Sequence, residues 1–442
     1  MCMMKKIVLF ASALLLMGGN VFAQEETPAK FKLYGFVRNY MAVDTRAVKG
    51  GTHDLYYYMP EDVKLNAAGE DANDGLNWKF VSLTTRLGLD FSGYQYGSMN
   101  ISGKVEADFY SLNPTSASVK VTEGATTLSG SASGGSIAQF RLRQAYMALK
   151  WNLAEKESLT LNLGQTWHPM GVDLPNCINL ESGAPFGPFN RSPQAMLHWN
   201  VKDWTFTGGI LYLSQYLPMD YETSGKSVNP FKYGLPEVYA GLGFKHGPVV
   251  FKTGFSMLNT KPVRTYNGTK ANGLMTAVTG FLYGQYTKGM FQLKAKTALA
   301  QSGEHLNILS GYGVSAYDAT TNTFTYTPMQ DWVSYLSFQY GKKFQVMGMV
   351  GYMKQLGTID DLAAGYKVLL NNAASQNIQQ AFRVTPTLAW NLGKFTVALE
   401  YDLTTAEFGD SDAVRGVRGL YEAGHTHWVT NHRVLCMTKF NF

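Results

Sequence analysis

The stretch MNISGKVEADFY, residues 99–110, sorts its side chains onto two faces. Its odd positions are uncharged, whereas its even positions hold Lys104, Glu106 and Asp108. Alternation with period two is typical of a strand that has an apolar environment on one side and a polar one on the other. The stretch is longer than the roughly five or six residues of an average soluble strand, and it can cross a membrane at a tilt. It therefore predicts a transmembrane β-strand.

The same alternation recurs along the whole chain and predicts sixteen strands. They cover residues 31–43, 79–91, 98–110, 138–151, 157–166, 193–201, 203–213, 234–246, 248–258, 272–288, 290–301, 329–340, 343–355, 379–391, 394–405 and 428–442. Tight turns and long polar connections alternate strictly between them, as in an antiparallel outer-membrane barrel. We predict an all-β fold, a closed transmembrane antiparallel β-barrel of about 16 strands that forms a single domain over residues 24–442.

The composition agrees with a barrel and excludes other classes. Charged residues make up 16% of the 442 residues and aromatic residues 13%, whereas typical soluble domains hold about 25% charged residues. Low charge with many aromatics excludes intrinsic disorder. The formal net charge of +6 is too small to indicate a nucleic-acid partner. Aromatic side chains flank the tight turns, as they do in the girdle at a membrane interface.

The first 23 residues have the organisation of a cleaved signal peptide. Lys5 and Lys6 precede an apolar run that ends near the small residue Ala23. The run is too short for a permanent membrane anchor. We expect residues 1–23 to be removed and the protein to be exported to the outer membrane of a Gram-negative bacterium.

The last predicted strand places Val434, Cys436 and Phe440 on the same face as Phe442. A final aromatic strand of this kind resembles the signature that the barrel assembly machinery recognises in outer-membrane barrels. We predict that Phe442 faces lipid and acts as an assembly signal.

The third long connection, residues 167–192, differs from the other loops because it contains four prolines before Ser192 and several apolar side chains. This composition favours a compact loop folded into the barrel as a constriction. The alternative is an external loop packed on its neighbours. The predicted pore constriction consists of Trp167, His168, Asp173, Glu181 and Arg191.

Four motifs resemble a known family. They are GQTW at residues 164–167, RSPQ at 191–194, LYGFV at 33–37 and RLRQAY at 141–146, with Asp173 and Pro175 between the first two. Together they resemble the general porins of Gram-negative outer membranes, and the DcaP-like trimeric porins most. The resemblance implies a 16-stranded barrel with an inward third loop, a homotrimer, and a preference for small negatively charged solutes such as dicarboxylates.

Because side chains of a barrel strand face lipid and lumen alternately, the position of each charged residue in its strand predicts whether it faces the lumen. The predicted basic wall consists of Arg38, Arg86, Arg141, Arg143, Lys294, Lys296, Arg383 and Arg433, and the predicted acidic residues are Glu106 and Asp108. Arginines that face Asp173 and Glu181 would create a field across the constriction. The alternative is that the arginines only form salt bridges with Glu106 and Asp108.

These observations predict a porin for passive diffusion of small hydrophilic, carboxylate-type anions through a water-filled pore. One alternative is a sugar-selective channel in which Tyr34, Phe36, Tyr40 and Tyr110 form a stacking track. Another is a structural or adhesive barrel. The expected partners are small solutes, outer-membrane lipid, lipopolysaccharide and the barrel assembly machinery.

We do not predict an enzyme, because no serine or aspartate stands at a sequence spacing from a histidine that would indicate a nucleophile and its base. Three histidines near the last loop, His425, His427 and His432, are interpreted as solvated rather than metal-binding. We therefore predict neither a metal nor another cofactor.

Overall fold

A computed structural model describes residues 30–51, 56–111, 116–123, 126–133, 138–179, 183–370 and 377–442. The predicted signal peptide and Glu181 lie outside the described residues. Among the described residues, no helix is long and apolar enough to cross a bilayer.

The described strands form a closed antiparallel barrel wall of sixteen strands, each paired with its neighbour in sequence. They are β1 (Lys30–Arg46), β2 (Asp74–Val81 and Arg86–Tyr96), β3 (Met99–Ser111), β4 (Ala138–Ala154), β5 (Glu157–Trp167), β6 (Arg191–Val201), β7 (Trp204–Leu211), β8 (Leu235–His246), β9 (Val249–Thr260), β10 (Met275–Lys288), β11 (Phe291–Gln301), β12 (Thr323–Gly341), β13 (Phe344–Thr358), β14 (Ile378–Leu392), β15 (Phe395–Gly409) and β16 (Thr426–Asn441). The predicted strand number and antiparallel order are confirmed.

The barrel closes where β1 meets β16. Their register runs from Phe36 opposite Asn441 to Asp44 opposite Arg433, and β1 also pairs with both segments of β2. Closure leaves no free sheet edge in the wall. Thr323 begins β12 earlier than predicted, because the first residues of β12 pair with a strand of the preceding connection.

Two-residue turns and long connections alternate around the wall, as predicted. Most of the turns contain a residue with a positive backbone φ angle, which glycine adopts without strain. Gly289 and Gly393 supply φ angles of 62° and 66° in two of these turns. Each two-residue turn therefore determines the register between the two strands that it joins.

Exposure alternates along the strands as well. On β10, Val278 and Leu282 are exposed, whereas Ala277, Phe281 and Tyr283 are buried. Exposed aromatics lie beside the short turns on the outer surface. They include Tyr94, Tyr96, Trp199, Trp204, Tyr286, Tyr340, Phe344, Trp390 and Phe395. This apolar outer face with aromatics near one end has the form of a lipid-facing surface.

The long connections carry the remaining described elements. These are the paired strands Val48–Gly51 and Tyr56–Pro60, Ser116–Glu123 and Thr126–Ser133, Met219–Asp220 and Gly225–Lys226, and Thr265–Tyr266 and Thr269–Lys270, the strands Gly311–Asp318 and Leu369–Leu370, and the short helices Pro169–Gly171, Asn229–Lys232 and Gly303–Leu306.

Three of these connections contribute to one buried apolar cluster. Met59 comes from the β1–β2 connection, Met170 and Phe186 come from the β5–β6 connection, and Leu306 comes from the β11–β12 connection. They pack with buried side chains of the wall, including Tyr335 on β12. We call these residues and their buried neighbours the inner cluster.

Candidate functional site

The β5–β6 connection, residues 168–190, is called the third loop here, and wall lysines hold its first half. Lys296 donates to the carbonyl oxygens of Met170 and, over 3.3 Å, of Asp173. Lys294 donates to the carbonyl oxygen of Leu174 over 3.0 Å. Both lysines belong to β11, so one strand anchors several successive residues of the loop.

The Asp173 carboxylate lies against Lys252 rather than against the arginines of the predicted basic wall. Its carboxylate is 2.7 Å from Nζ of Lys252 on β9, and its carbonyl oxygen accepts from the Tyr335 hydroxyl over 2.6 Å. The predicted arrangement of Asp173 opposite Arg141 and Arg143 therefore differs from the structure. The difference arises because the loop contacts β9, β11 and β12, which sequence parity cannot reveal.

A carboxylate on β15 binds the third loop at residues 178 and 179. Glu400 accepts from the backbone N–H groups of Ile178 over 2.7 Å and Asn179 over 2.9 Å, and from the Thr387 hydroxyl over 2.6 Å. The carbonyl oxygen of Ile178 accepts from the Tyr40 hydroxyl over 2.9 Å. Glu400 and Tyr40 thus fix this part of the loop from two strands.

Removing the Glu400 carboxylate should loosen this part of the loop. A Glu400→Ala variant leaves two buried N–H groups without their acceptor, at a cost of about 1–3 kcal/mol each. We expect more frequent current fluctuations in single-channel recordings than in the unmodified protein. The matched control is Glu407→Ala on the same strand, since Glu407 accepts from Gln380 and Thr426 instead. A current as steady as that of the control would contradict this role for Glu400.

A cavity of about 390 Å³ adjoins β1 to β4 and the ends of the third loop. Five guanidinium groups line this space, which we call the arginine cavity. They belong to Arg38, Arg86, Arg141, Arg143 and Arg191. Its other lining side chains are mainly aromatic or apolar and include Tyr56, Tyr110, Trp167, Leu174, Phe189 and Tyr216.

Three of the five arginines pair with carboxylates on β3. Arg141 binds Asp108 through two hydrogen bonds of 3.0 and 3.1 Å. Arg143 lies 2.9 Å from Glu106 and 2.8 Å from Asp108, and Arg86 lies 3.9 Å from Glu106. The salt-bridge alternative is thus realised for these arginines. Bidentate pairs of this kind also hold the guanidinium planes in fixed orientations.

The other two arginines of the cavity make different contacts. Arg38 donates twice to the Thr84 hydroxyl, over 3.2 and 3.0 Å. Arg191 lies 4.8 Å above the Trp167 ring and 5.3 Å above the Phe189 ring. Its side chain is buried, and its Nε and Nη1 have no hydrogen-bond partner among the described residues. Among the described residues, five guanidinium groups face the carboxylates of Glu106 and Asp108, so this part of the chain brings more positive than negative charge to the cavity.

The remaining residues of the predicted basic wall do not line this cavity. Arg383 donates to the carbonyl oxygens of Tyr58 over 2.9 Å and Ala184 over 3.2 Å. Arg433 is 2.8 Å from Asp44 at the barrel seam. Together with the two lysines of β11, these residues hold loops or the seam. The predicted single wall is therefore divided into the arginine cavity and a set of anchoring residues.

Two histidines, one of them a predicted constriction residue, also differ from their predicted setting. His168 is fully buried and does not line the cavity. His427, interpreted from sequence as a solvated loop histidine, lies 2.8 Å from both Asp62 and Asp410. His427 therefore joins the first and last long connections, which meet only because β1 and β16 are neighbours.

Aromatic residues of the predicted sugar track contact the protein itself. The Tyr34 hydroxyl donates to Glu106 over 3.0 Å, and the Lys104 ammonium lies 4.5 Å from the Tyr34 ring centre. The Arg141 guanidinium lies 4.6 Å from the Tyr110 ring centre. Because cations cover these rings, the arrangement does not favour the stacking of sugars on them.

Burial shifts two titratable groups on the loops. It raises the pKa of the Tyr216 hydroxyl, and the nearby Arg191 charge opposes this shift. It also raises the pKa of the Cys177 thiol well above its usual value, with the negative charge of Glu400 adding to the effect. Both groups therefore stay neutral at pH 7, so Tyr216 can offer a hydroxyl hydrogen to an anion in the cavity.

The closed sixteen-stranded wall with a charged cavity defines the fold of an outer-membrane porin. The chain is similar to the outer-membrane channel DcaP of Acinetobacter baumannii, with 16% identity, a TM-score of 0.62, and coverage of 95% of this chain and 99% of that one. It is also similar to an anion-selective porin from Comamonas acidovorans, with 13% identity, a TM-score of 0.49, and coverage of 94% and 100%. No protein-family model and no curated protein matches the sequence.

Proposed function

We propose that the chain is an outer-membrane porin that passes small hydrophilic anions of the carboxylate type by passive diffusion. The arginine cavity is the observation that carries this proposal, because five guanidinium groups line it and the described residues place the carboxylates of Glu106 and Asp108 against them. A positive, narrow passage with low-dielectric walls raises the local concentration of anions. Guanidinium groups stay charged and match the geometry of a carboxylate.

The third loop narrows the lumen in this proposal. Its anchors on β9, β11, β12 and β15 hold it beside the inner cluster, so the solute passes along β1 to β4. Leu174 and Phe189 line the cavity together with the arginines. A carboxylate group would bind the guanidinium groups while its hydrocarbon part contacts these side chains.

Reversal potentials across planar bilayers in a potassium chloride gradient test the proposal. We expect anion preference at low salt that weakens as the Debye length falls below about 10 Å. Succinate should reduce the chloride current more strongly than a neutral sugar of similar size. Cation preference contradicts the proposal, and a barrel that folds but conducts no current favours a structural or adhesive role.

The location and partners belong to the same proposal. Residues 1–23 act as a cleaved signal peptide, and the barrel assembly machinery inserts the barrel into the outer membrane beside lipid and lipopolysaccharide. The apolar outer face supports this location, and the motif resemblance supports a homotrimer. The mass of the detergent-solubilised protein, corrected for bound detergent, tests the trimer.

Phe442 serves barrel assembly in this proposal. Its backbone N–H donates to the carbonyl oxygen of Gly35 over 3.1 Å, and a Cβ added to Gly35 would lie 2.6 Å from the Phe442 ring. Phe442→Ala removes this ring from the seam, so we expect a lower folded fraction in heat-modifiability gels. Phe31→Ala on the exposed part of β1 is the control. An unchanged folded fraction with altered conductance would contradict the assembly role.

A further inference from the structure

Three potential metal ligands meet at a buried point where the third loop leaves β5. His168 is the first residue of the loop, Glu237 belongs to β8, and His305 belongs to the short helix Gly303–Leu306. Their side chains are at most 1% exposed. One donor atom of each residue lies within 4.8 Å of the others. Glu237 Oε1 is 3.2 Å from His168 Nε2 and 3.4 Å from His305 Nε2.

Several polar atoms of this group have no hydrogen bond among the described residues. They are Oε2 of Glu237 and both ring nitrogens of His305. A buried carboxylate or imidazole without a partner is costly, because burial removes its hydration. One cation between the three side chains would satisfy the carboxylate and one nitrogen of each ring.

We propose that His168, Glu237 and His305 bind one divalent transition-metal ion, with Zn²⁺ as the best match. Two imidazoles and a carboxylate are a ligand set that Zn²⁺ accepts. With metal–ligand bonds of about 2.0–2.1 Å, neighbouring donors of a tetrahedral shell lie about 3.4 Å apart. The two distances from Glu237 are close to this spacing. Ca²⁺ and Mg²⁺ fit less well, since both prefer shells of oxygen.

A hydrogen-bonded group without metal explains only part of the arrangement. Nδ1 of His168 accepts from the Met170 N–H over 3.1 Å, so Nε2 of the neutral ring carries a proton and donates to Glu237. Within the described part of the chain, this pairing leaves both ring nitrogens of His305 and Oε2 of Glu237 without a hydrogen bond. Metal binding through Nε2 places the proton on Nδ1 and ends the bond from Met170. A single hydrogen bond to a carboxylate contributes far less than metal coordination.

The bound ion would join three parts of the barrel. It would fasten the beginning of the third loop, through His168, to the wall at Glu237 and to the β11–β12 connection at His305. Because the side chains of all three protein ligands are buried from solvent, the ion would hold these parts of the barrel together rather than act on a solute. This inference does not depend on anion passage, and either proposal can fail without the other.

Metal loading of the purified, folded barrel tests the site. The protein is prepared without a polyhistidine tag, stripped with a chelator and titrated with Co²⁺, then with Zn²⁺. We expect one equivalent of Zn²⁺ per chain after gel filtration. Co²⁺ should give the intense visible absorption of a four-coordinate site. His305→Gln should weaken Zn²⁺ binding at least tenfold, whereas the exposed control His246→Gln should bind as tightly as the unmodified protein.

Two results would overturn the site. One is well under one tightly bound equivalent of Zn²⁺ in the folded, unmodified protein. The other is undiminished binding in folded His305→Gln and Glu237→Gln. If neither variant folds, X-ray absorption of the Zn²⁺-loaded protein decides, since the site requires scattering from two imidazoles and contributions from oxygen. Scattering from one imidazole or none overturns the proposal.

Discussion

Replacing Arg141 and Arg143 together by alanine should shift the permeability ratio toward cations by about tenfold at low salt. This is near the lower end of the ion enrichment that a charged cleft with low-dielectric walls produces. The double variant removes two positive charges and leaves Glu106 and Asp108 without their arginine partners on β4. The loss of two positive charges makes the cavity more negative. Reversal potentials in a dilute salt gradient measure the shift, which should shrink as salt is added.

A charge-balanced variant separates selectivity from folding. Adding Glu106→Gln and Asp108→Asn to the double variant removes two negative charges as well, so the net charge returns to that of the unmodified cavity. We expect this quadruple variant to regain most of the anion preference. Its folded yield should also exceed that of the double variant, in which buried carboxylates have lost their partners. A double variant with unchanged selectivity and reduced yield would assign these arginines a purely structural role.

Removing Arg433 should destabilise the barrel by about 3 kcal/mol, because it leaves a buried carboxylate without its main counter-charge. Arg433 donates two hydrogen bonds, of 2.8 and 2.9 Å, to Asp44 across the seam. Lys79 lies 3.0 Å from the same carboxylate and still balances part of its negative charge in the variant. The folded fraction of Arg433→Met as a function of urea concentration measures the loss.

An exposed arginine provides the control for this variant. Arg418 lies 3.9 Å from Asp361 and donates to the backbone carbonyl oxygens of Thr358 and Ile359, but its side chain is half exposed and its removal leaves no buried charge. Arg418→Met should therefore reduce stability by no more than about 1–2 kcal/mol. Adding Asp44→Asn to Arg433→Met should restore part of the loss, since the unpaired charge is then absent. Equal stabilities of Arg433→Met and Arg418→Met would show that Asp44 does not depend on Arg433.

The strand count and antiparallel order could be predicted because their causes are local, and closure could be predicted because an open sheet of this size would leave free edges. Alternation such as that of residues 99–110 follows from the geometry of a single strand, and glycines such as Gly289 mark the turns between neighbours. The contacts of Arg141 and Arg143 with Asp108 could be predicted for the same reason, since β3 and β4 are adjacent. The salt-bridge alternative already contained these pairs.

The placement of the third loop could not be predicted in this way. Asp173 binds Lys252, which is 79 positions further along the chain, and Glu400 binds Ile178 across an even longer separation. No periodic pattern encodes such contacts. His305 and Tyr216 were missed for this reason, since each reaches its neighbours through a loop.

The inner cluster has a consequence for how such a channel can change. Met59, Met170 and Phe186 come from two loops and are fully buried. If the third loop narrows the passage as proposed, the residues that determine the diameter of the passage also belong to a packed core. Truncating Phe186 then leaves an internal void rather than a wider opening. Substitutions in the lining of the arginine cavity can therefore admit bulkier solutes at a smaller loss of folding stability than substitutions in the inner cluster. In the cluster, any change that widens the passage also lowers the melting temperature.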